Sequence, residues 1–177
     1  MTLPTLHLTL AASLLAAAAT PAETPQPPPA DAKHLFVLSG QSNMAGIDPR
    51  TSFTPAVAKA FGEHSVLVVK DAHGGQSIRS WCKSNHEFPP PTRGRVPKVR
   101  GELYGHLIAK VKKALRGQTL QSATLVWMQG ESDLNNTAYD AYLNELLTQL
   151  QADLDRLAQA SIPVDIVFEQ GVEVLGL

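Results

Sequence analysis

The chain carries 177 residues, 44% hydrophobic and 18% charged, with a formal net charge of −1, which fits one ordinary globular domain. A balance so near neutral offers no single-sign field to draw in a nucleic acid backbone or an anionic membrane surface, so small neutral ligands are the expected partners. The one cysteine, Cys82, excludes an intrachain disulfide and a zinc site of the multi-cysteine kind.

Residues 8–19 form an apolar, alanine-rich run too short to span a bilayer, and small residues at 17–22 offer a cleavage region. They read as an export signal over residues 1–22, so the chain is expected to be secreted or periplasmic, without membrane contact once the signal is removed. A proline-rich linker over residues 23–32 follows, in which Pro27, Pro28 and Pro29 make a semi-rigid spacer. No Lys or Arg precedes the apolar run, and a structureless tail is the other reading. The folded domain is expected over residues 33–177.

Residues 34–38 form a short apolar run that ends abruptly at Ser39 and Gly40, as a buried strand feeding a loop does. Residues 53–61 fit a short helix, with Thr54 as cap and Pro55 in its first turn. Residues 66–69 are a second buried strand, running into a loop of Asp71, Ala72, His73, Gly74 and Gly75. Residues 85–100, rich in proline and basic side chains, read as a surface excursion. Leu103, Leu107, Ile108, Val111 and Leu115 keep helical spacing up to a stop at Gly117. Residues 123–128 are a third strand, left by a loop over residues 129–133. Tyr142, Leu143, Leu146, Leu147, Leu150, Leu154 and Leu157 mark a long amphipathic helix from near Thr137, and residues 162–168 a fourth strand.

Strands alternating with helices imply parallel pairing through right-handed crossovers, hence a three-layer α/β/α sandwich with a mostly parallel sheet. Ligands in such folds sit beyond the carboxyl ends of the strands, where strand order reverses. Three polar, glycine-bearing loops leave those ends here.

In the first loop Ser42 is a candidate nucleophile, because a serine in a tight strand-to-helix turn projects its hydroxyl from the sheet edge among backbone N–H groups. A helix cap is the plainer alternative. In the second, the Gly75 N–H can approach a developing oxyanion, or the segment is a simple turn. No lysine follows it as a nucleotide-binding loop requires. In the third, Gln129 can donate to the same oxygen, while Glu131 and Asp133 are site carboxylates or merely solvated or helix-capping ones. Trp81 either stacks on a sugar ring or belongs to the core.

The strings GQSNMAG, GGQSI with a following Trp, and WMQGESD, in that order, resemble the first three sequence blocks of the SGNH hydrolase superfamily. Within it they are most similar to carbohydrate esterases of the sialate O-acetylesterase and acetylxylan esterase group. The resemblance implies a serine ester hydrolase acting on acylated carbohydrate, without metal or organic cofactor. It implies Ser42 as nucleophile, the Ser42 and Gly75 amides with the Gln129 side chain as oxyanion hole, and Glu131 as a carboxylate shaping the site. Gln41, Asn43, His73, Ser77 and Trp81 are then expected to face the substrate.

The family also carries an Asp-x-x-His block, whose histidine deprotonates the serine. This chain has no histidine after His106, so it reads as truncated, with an incomplete sheet prone to marginal stability or association. The alternatives are a replacement base, for which His73 is better placed than His34, His64, His86 or His106, or a silent carbohydrate-binding pseudo-esterase. A flavodoxin-like cofactor binder is compatible with the topology alone.

Overall fold

The computed structural model describes residues 29–84 and 99–168. The apolar runs become four strands, β1 (Lys33–Gly40), β2 (Val66–Ala72), β3 (Leu120–Met128) and β4 (Val164–Phe168). All neighbours pair in parallel, in the order β2-β1-β3-β4. Four helices join them, α1 (Ser42–Gly46), α2 (Phe53–Phe61), α3 (Glu102–Leu115) and α4 (Tyr139–Ala158).

Both faces of the sheet are covered, which is why β1 reads as a continuous apolar run rather than an alternating one. Leu35 and Val37 of β1, with Ala123, Leu125 and Trp127 of β3, pack beneath the apolar stripes of α3 and α4. Phe36 and Leu38 turn the other way, onto Met44 of α1 and onto Phe53 and Val57 of α2. This is the expected three-layer α/β/α arrangement. Coverage thins at β4, the edge strand, where Val167 and Phe168 are 50% and 49% exposed.

From β1 the chain crosses to β2 on one side and later to β3 on the other. Strand order therefore reverses at β1, and the loops leaving β1, β2 and β3 diverge around one crevice. Among the described residues no helix is long and apolar enough to cross a membrane.

Several boundaries differ from the sequence reading. Asp71 and Ala72 belong to β2, because Ser39 and Gly40 of β1 extend far enough to pair with them. Thr54 is not the cap of α2: the helix starts at Phe53, and the Thr54 N–H is taken by the Pro49 carbonyl at 2.7 Å. Helix α4 starts at Tyr139 rather than near Thr137, since the Asn136 side chain accepts the Ala138 N–H at 3.1 Å and holds that stretch in a turn. The export signal, all but the last residues of the linker, most of the basic excursion and the stretch after Phe168 lie outside the described residues.

Candidate active site

Gly40 ends β1 at φ 137°, where a Cβ would lie 2.0 Å from the Met128 carbonyl oxygen. Only glycine lets β1 and β3 finish side by side there. The Gln41 N–H donates to that same carbonyl at 2.9 Å, which turns the chain out of the sheet and into α1. Ser42 is the first residue of α1 and is exposed, with Gln41 in the cap position before it. Ser42 is therefore not the helix cap, and its N–H falls among those that a helix leaves without intrahelical partners.

The second loop comes up against this turn. The His73 N–H donates to the Gly40 carbonyl at 3.0 Å. A Cβ on Gly74 would meet Cα and Cβ of Ser42 at 3.9 Å each, ordinary van der Waals contact. Gly75 takes φ +68°, with open space where a side chain would be. The first two loops are thus joined at Gly40 and run close together at Ser42, and the exposed Gly75 follows directly.

The third loop ties into both. Gln129 Nε2 donates to Gln41 Oε1 at 3.2 Å, to the Gln76 carbonyl at 3.1 Å and to Asp133 Oδ2 at 2.6 Å. The carboxylate fixes the orientation of this amide, because the flipped form would set two oxygens against each other. Its Oε1 is buried without a partner. Both Gln129 hydrogens are committed in this arrangement, so donation to a bound acyl oxygen requires release of Gln76 or Gln41. Asn43 Nδ2 donates to Glu131 Oε1 across the first and third loops.

Asp133 joins all of this together. It is buried, and it is neither solvated nor the cap of α4. Its Oδ1 accepts from the Ser77 hydroxyl at 2.8 Å and Asn136 Nδ2 at 3.1 Å, and its Oδ2 from the Ile78 N–H at 2.8 Å as well as from Gln129. A buried carboxylate is tolerated when its lone pairs are filled in this way.

Not every residue expected to face the substrate does so. Ser77 is fully buried with its hydroxyl on Asp133, and Gln41 is buried with Oε1 accepting from Gln129 and from the Ser132 N–H. Trp81 is fully buried and meets Trp127 edge-on at 5.1 Å, a pair that adds about 1 kcal/mol to core packing. All three are structural, because stacking of the loops on one another excludes them from solvent. Asn43, Gly75 and part of His73 remain accessible. The His73 ring faces Asp71, with Nε2 3.3 Å from Oδ2. Among the described residues no side chain is hydrogen-bonded to the Ser42 hydroxyl.

Two supporting residues escaped the sequence reading. Tyr139 donates its hydroxyl to the Gln129 carbonyl at 2.8 Å and accepts from Trp127 Nε1 at 3.1 Å, fastening the third loop to α4. Asp71 is a buried carboxylate at the end of β2. Neither carries a local signal, since each is defined by partners distant in sequence or by burial. A hollow lined by Pro49, Arg50, Thr54, Ala58, Val66 and Val68 lies between α2 and β2 and includes none of these loop residues.

Burial pushes the Tyr139 hydroxyl up from 10.0 to about 12, against the lowering effect of the Trp127 bond, and burial also raises the Cys82 thiol well above 9.0. Raised values mean stability that is complete below the unfolded pKa and lost as pH rises through the folded one. The thermal midpoint is accordingly expected to fall from about pH 9 upward, with Tyr139 alone accounting for about 2–3 kcal/mol. A Tyr139→Phe chain should show a shallower alkaline decline in a melting series, and an identical decline would contradict the assignment.

The model of the family described as carbohydrate esterase, sialic acid-specific acetylesterase, matches residues 45–171. That stretch takes in the second and third loops and starts just after Ser42. No curated protein shows a significant match. Among solved structures the chain is similar to a crystal structure of NanS, at 14% identity over 77% of this chain and 67% of that one, with a TM-score of 0.49.

Proposed function

Since the chain belongs to the sialic acid-specific acetylesterase family of carbohydrate esterases, and so among carboxylic ester hydrolases, we propose that it removes acetyl groups from sugar hydroxyls through an acyl-serine intermediate on Ser42. The Ser42 oxygen attacks the acetyl carbonyl, and the bond to the sugar oxygen breaks. That oxygen leaves with the proton that the serine hydroxyl gives up, and water then adds to the acyl carbon, returning a proton to Ser42 and releasing acetic acid. The Ser42 and Gly75 N–H groups meet the charge that develops on the carbonyl oxygen, and Gln129 joins them once freed from an internal acceptor. Each such donor is worth about 3–4 kcal/mol in the transition state.

The observation that carries this reading is the nearness of Gly74 to Ser42, with room there for no more than a methyl group, which supports a nucleophile and a freely approached glycine amide at one rim. The hydroxyl still needs a base to be a good nucleophile. The lack of one among the described residues favours a second reading, a silent carbohydrate-binding module that keeps the pocket.

Acetate release from O-acetylated sialic acid and from acetylated xylan separates the two readings. Release by the purified chain supports the esterase, and the preferred substrate identifies the sugar. Binding of either glycan with no acetate above the uncatalysed background would support the silent module instead.

A further inference from the structure

The second loop is fastened to the sheet at a point that the reaction scheme leaves unused. The Asp71 side chain is 2% exposed, and Lys110 of α3 donates to its Oδ1 while the His73 ring faces its Oδ2. Lys110 Nζ also donates to the Lys70 carbonyl at 3.2 Å, and the Ser39 hydroxyl to the Asp71 carbonyl at 2.7 Å. Asp71 is therefore held through its carboxylate from α3 and through its backbone carbonyl from β1. Besides Asp71, the groups around the His73 ring are Lys110 and the His106 ring, whose centroid is 6.2 Å away. The His73 side chain is 35% exposed, and its backbone N–H is the one that meets Gly40.

Next in the chain come Gly74 and Gly75. Consecutive glycines have no side chains with which to pack and lose the most backbone entropy when ordered, so their placement must come from their neighbours. On the far side Ser77 and Ile78 are held by Asp133. On the near side there is His73.

We propose that His73 is a positioning residue of this site: its ring, bonded to Asp71, latches Gly74 and Gly75 against Ser42 so that the Gly75 N–H faces the acyl oxygen. The inference rests on the reading of Ser42 as nucleophile. The latch needs only an N–H at the position of Nε2, which the neutral Nε2–H tautomer and the imidazolium both supply. A base at this position would instead have to lose and regain its proton.

Two variants of the full chain test this, His73→Phe, which keeps a ring without the donor, and His73→Gln, whose amide supplies a donor without titrating. Two readouts are needed, amide hydrogen exchange at residue 73 and hydrolysis of 4-nitrophenyl acetate. With Phe, exchange should quicken about tenfold or more, and kcat should fall about 10- to 100-fold with KM within about twofold. With Gln, exchange and kcat should stay within about threefold of the parent, with the same pH profile.

Unchanged exchange and turnover in the Phe chain would overturn the latch. So would a Gln chain that exchanges slowly yet loses turnover, because that result makes His73 the base. Should the Phe chain fail to fold, His73→Ala, which also removes the donor, takes its place on the same criteria. If the parent chain shows no Ser42-dependent hydrolysis, the esterase reading fails, and exchange at residue 73 still decides whether the latch exists.

Discussion

Replacing Ser42 with alanine is expected to lower kcat/KM for ester hydrolysis by at least about a thousandfold, a loss of about 4 kcal/mol or more of transition-state stabilisation. The same change should leave the fold intact. Ser42 is exposed at the first position of α1, and Gln41 occupies the cap. Alanine suits a helix and keeps the Cβ that faces Gly74. Unfolding free energy should therefore shift by no more than about 0.5 kcal/mol. Losing chemistry without losing stability separates a nucleophile from a structural serine. Turnover within a few-fold of the parent would remove Ser42 from the mechanism.

Asp133→Ala is expected to have the largest effect on stability, about 3–5 kcal/mol in urea unfolding. Four donors lose an acceptor at once, namely the Ser77 hydroxyl, the Ile78 N–H, Asn136 Nδ2 and Gln129 Nε2, the last keeping Gln41 and Gln76. Ser77 and Ile78 hold the second loop and Gln129 starts the third, so the chain should also lose ester turnover as the loops part. Asp133→Asn should cost less. One amide oxygen still accepts, and the Ser77 hydroxyl can turn to accept from the new NH2. A loss below about 1 kcal/mol for the alanine chain would mean that the carboxylate does not bind the loops together.

How far the sequence foretells this site depends on whether the signal is local. The ends of β1 and β3 are legible because apolar runs give way abruptly near Gly40 and Gln129, whereas β2 runs on through Asp71 and Ala72 because β1 extends to pair with them. Helix α3 is legible from the spacing of Leu103, Leu107, Val111 and Leu115, all of which turn inward. Gln41, Ser77 and Asp133 look like loop surface because they are polar and lie between elements. The fold stacks the three loops and turns these residues into a buried polar layer whose partners no local window can contain, as with Ser77 and Asp133 at a separation of 56 and Gln41 and Gln129 at 88. Trp81 is similar, since its packing on Trp127 depends on where β3 lies. Helix α4 starts later than its apolar spacing suggests for a smaller reason, competition from the Asn136 turn with the first helical bonds.

The proposed chemistry requires three loops to meet at one rim, around the Ser42 hydroxyl and amides placed to face its acyl group. A crystal structure of the chain with a phosphonate ester bonded to Ser42 tests this most directly, because the phosphoryl oxygen stands in for the oxyanion of the tetrahedral intermediate. That oxygen should lie about 2.7–3.1 Å from both the Ser42 and the Gly75 nitrogens. An adduct whose oxygen points into solvent, with the Gly75 N–H turned away from it, would contradict the account.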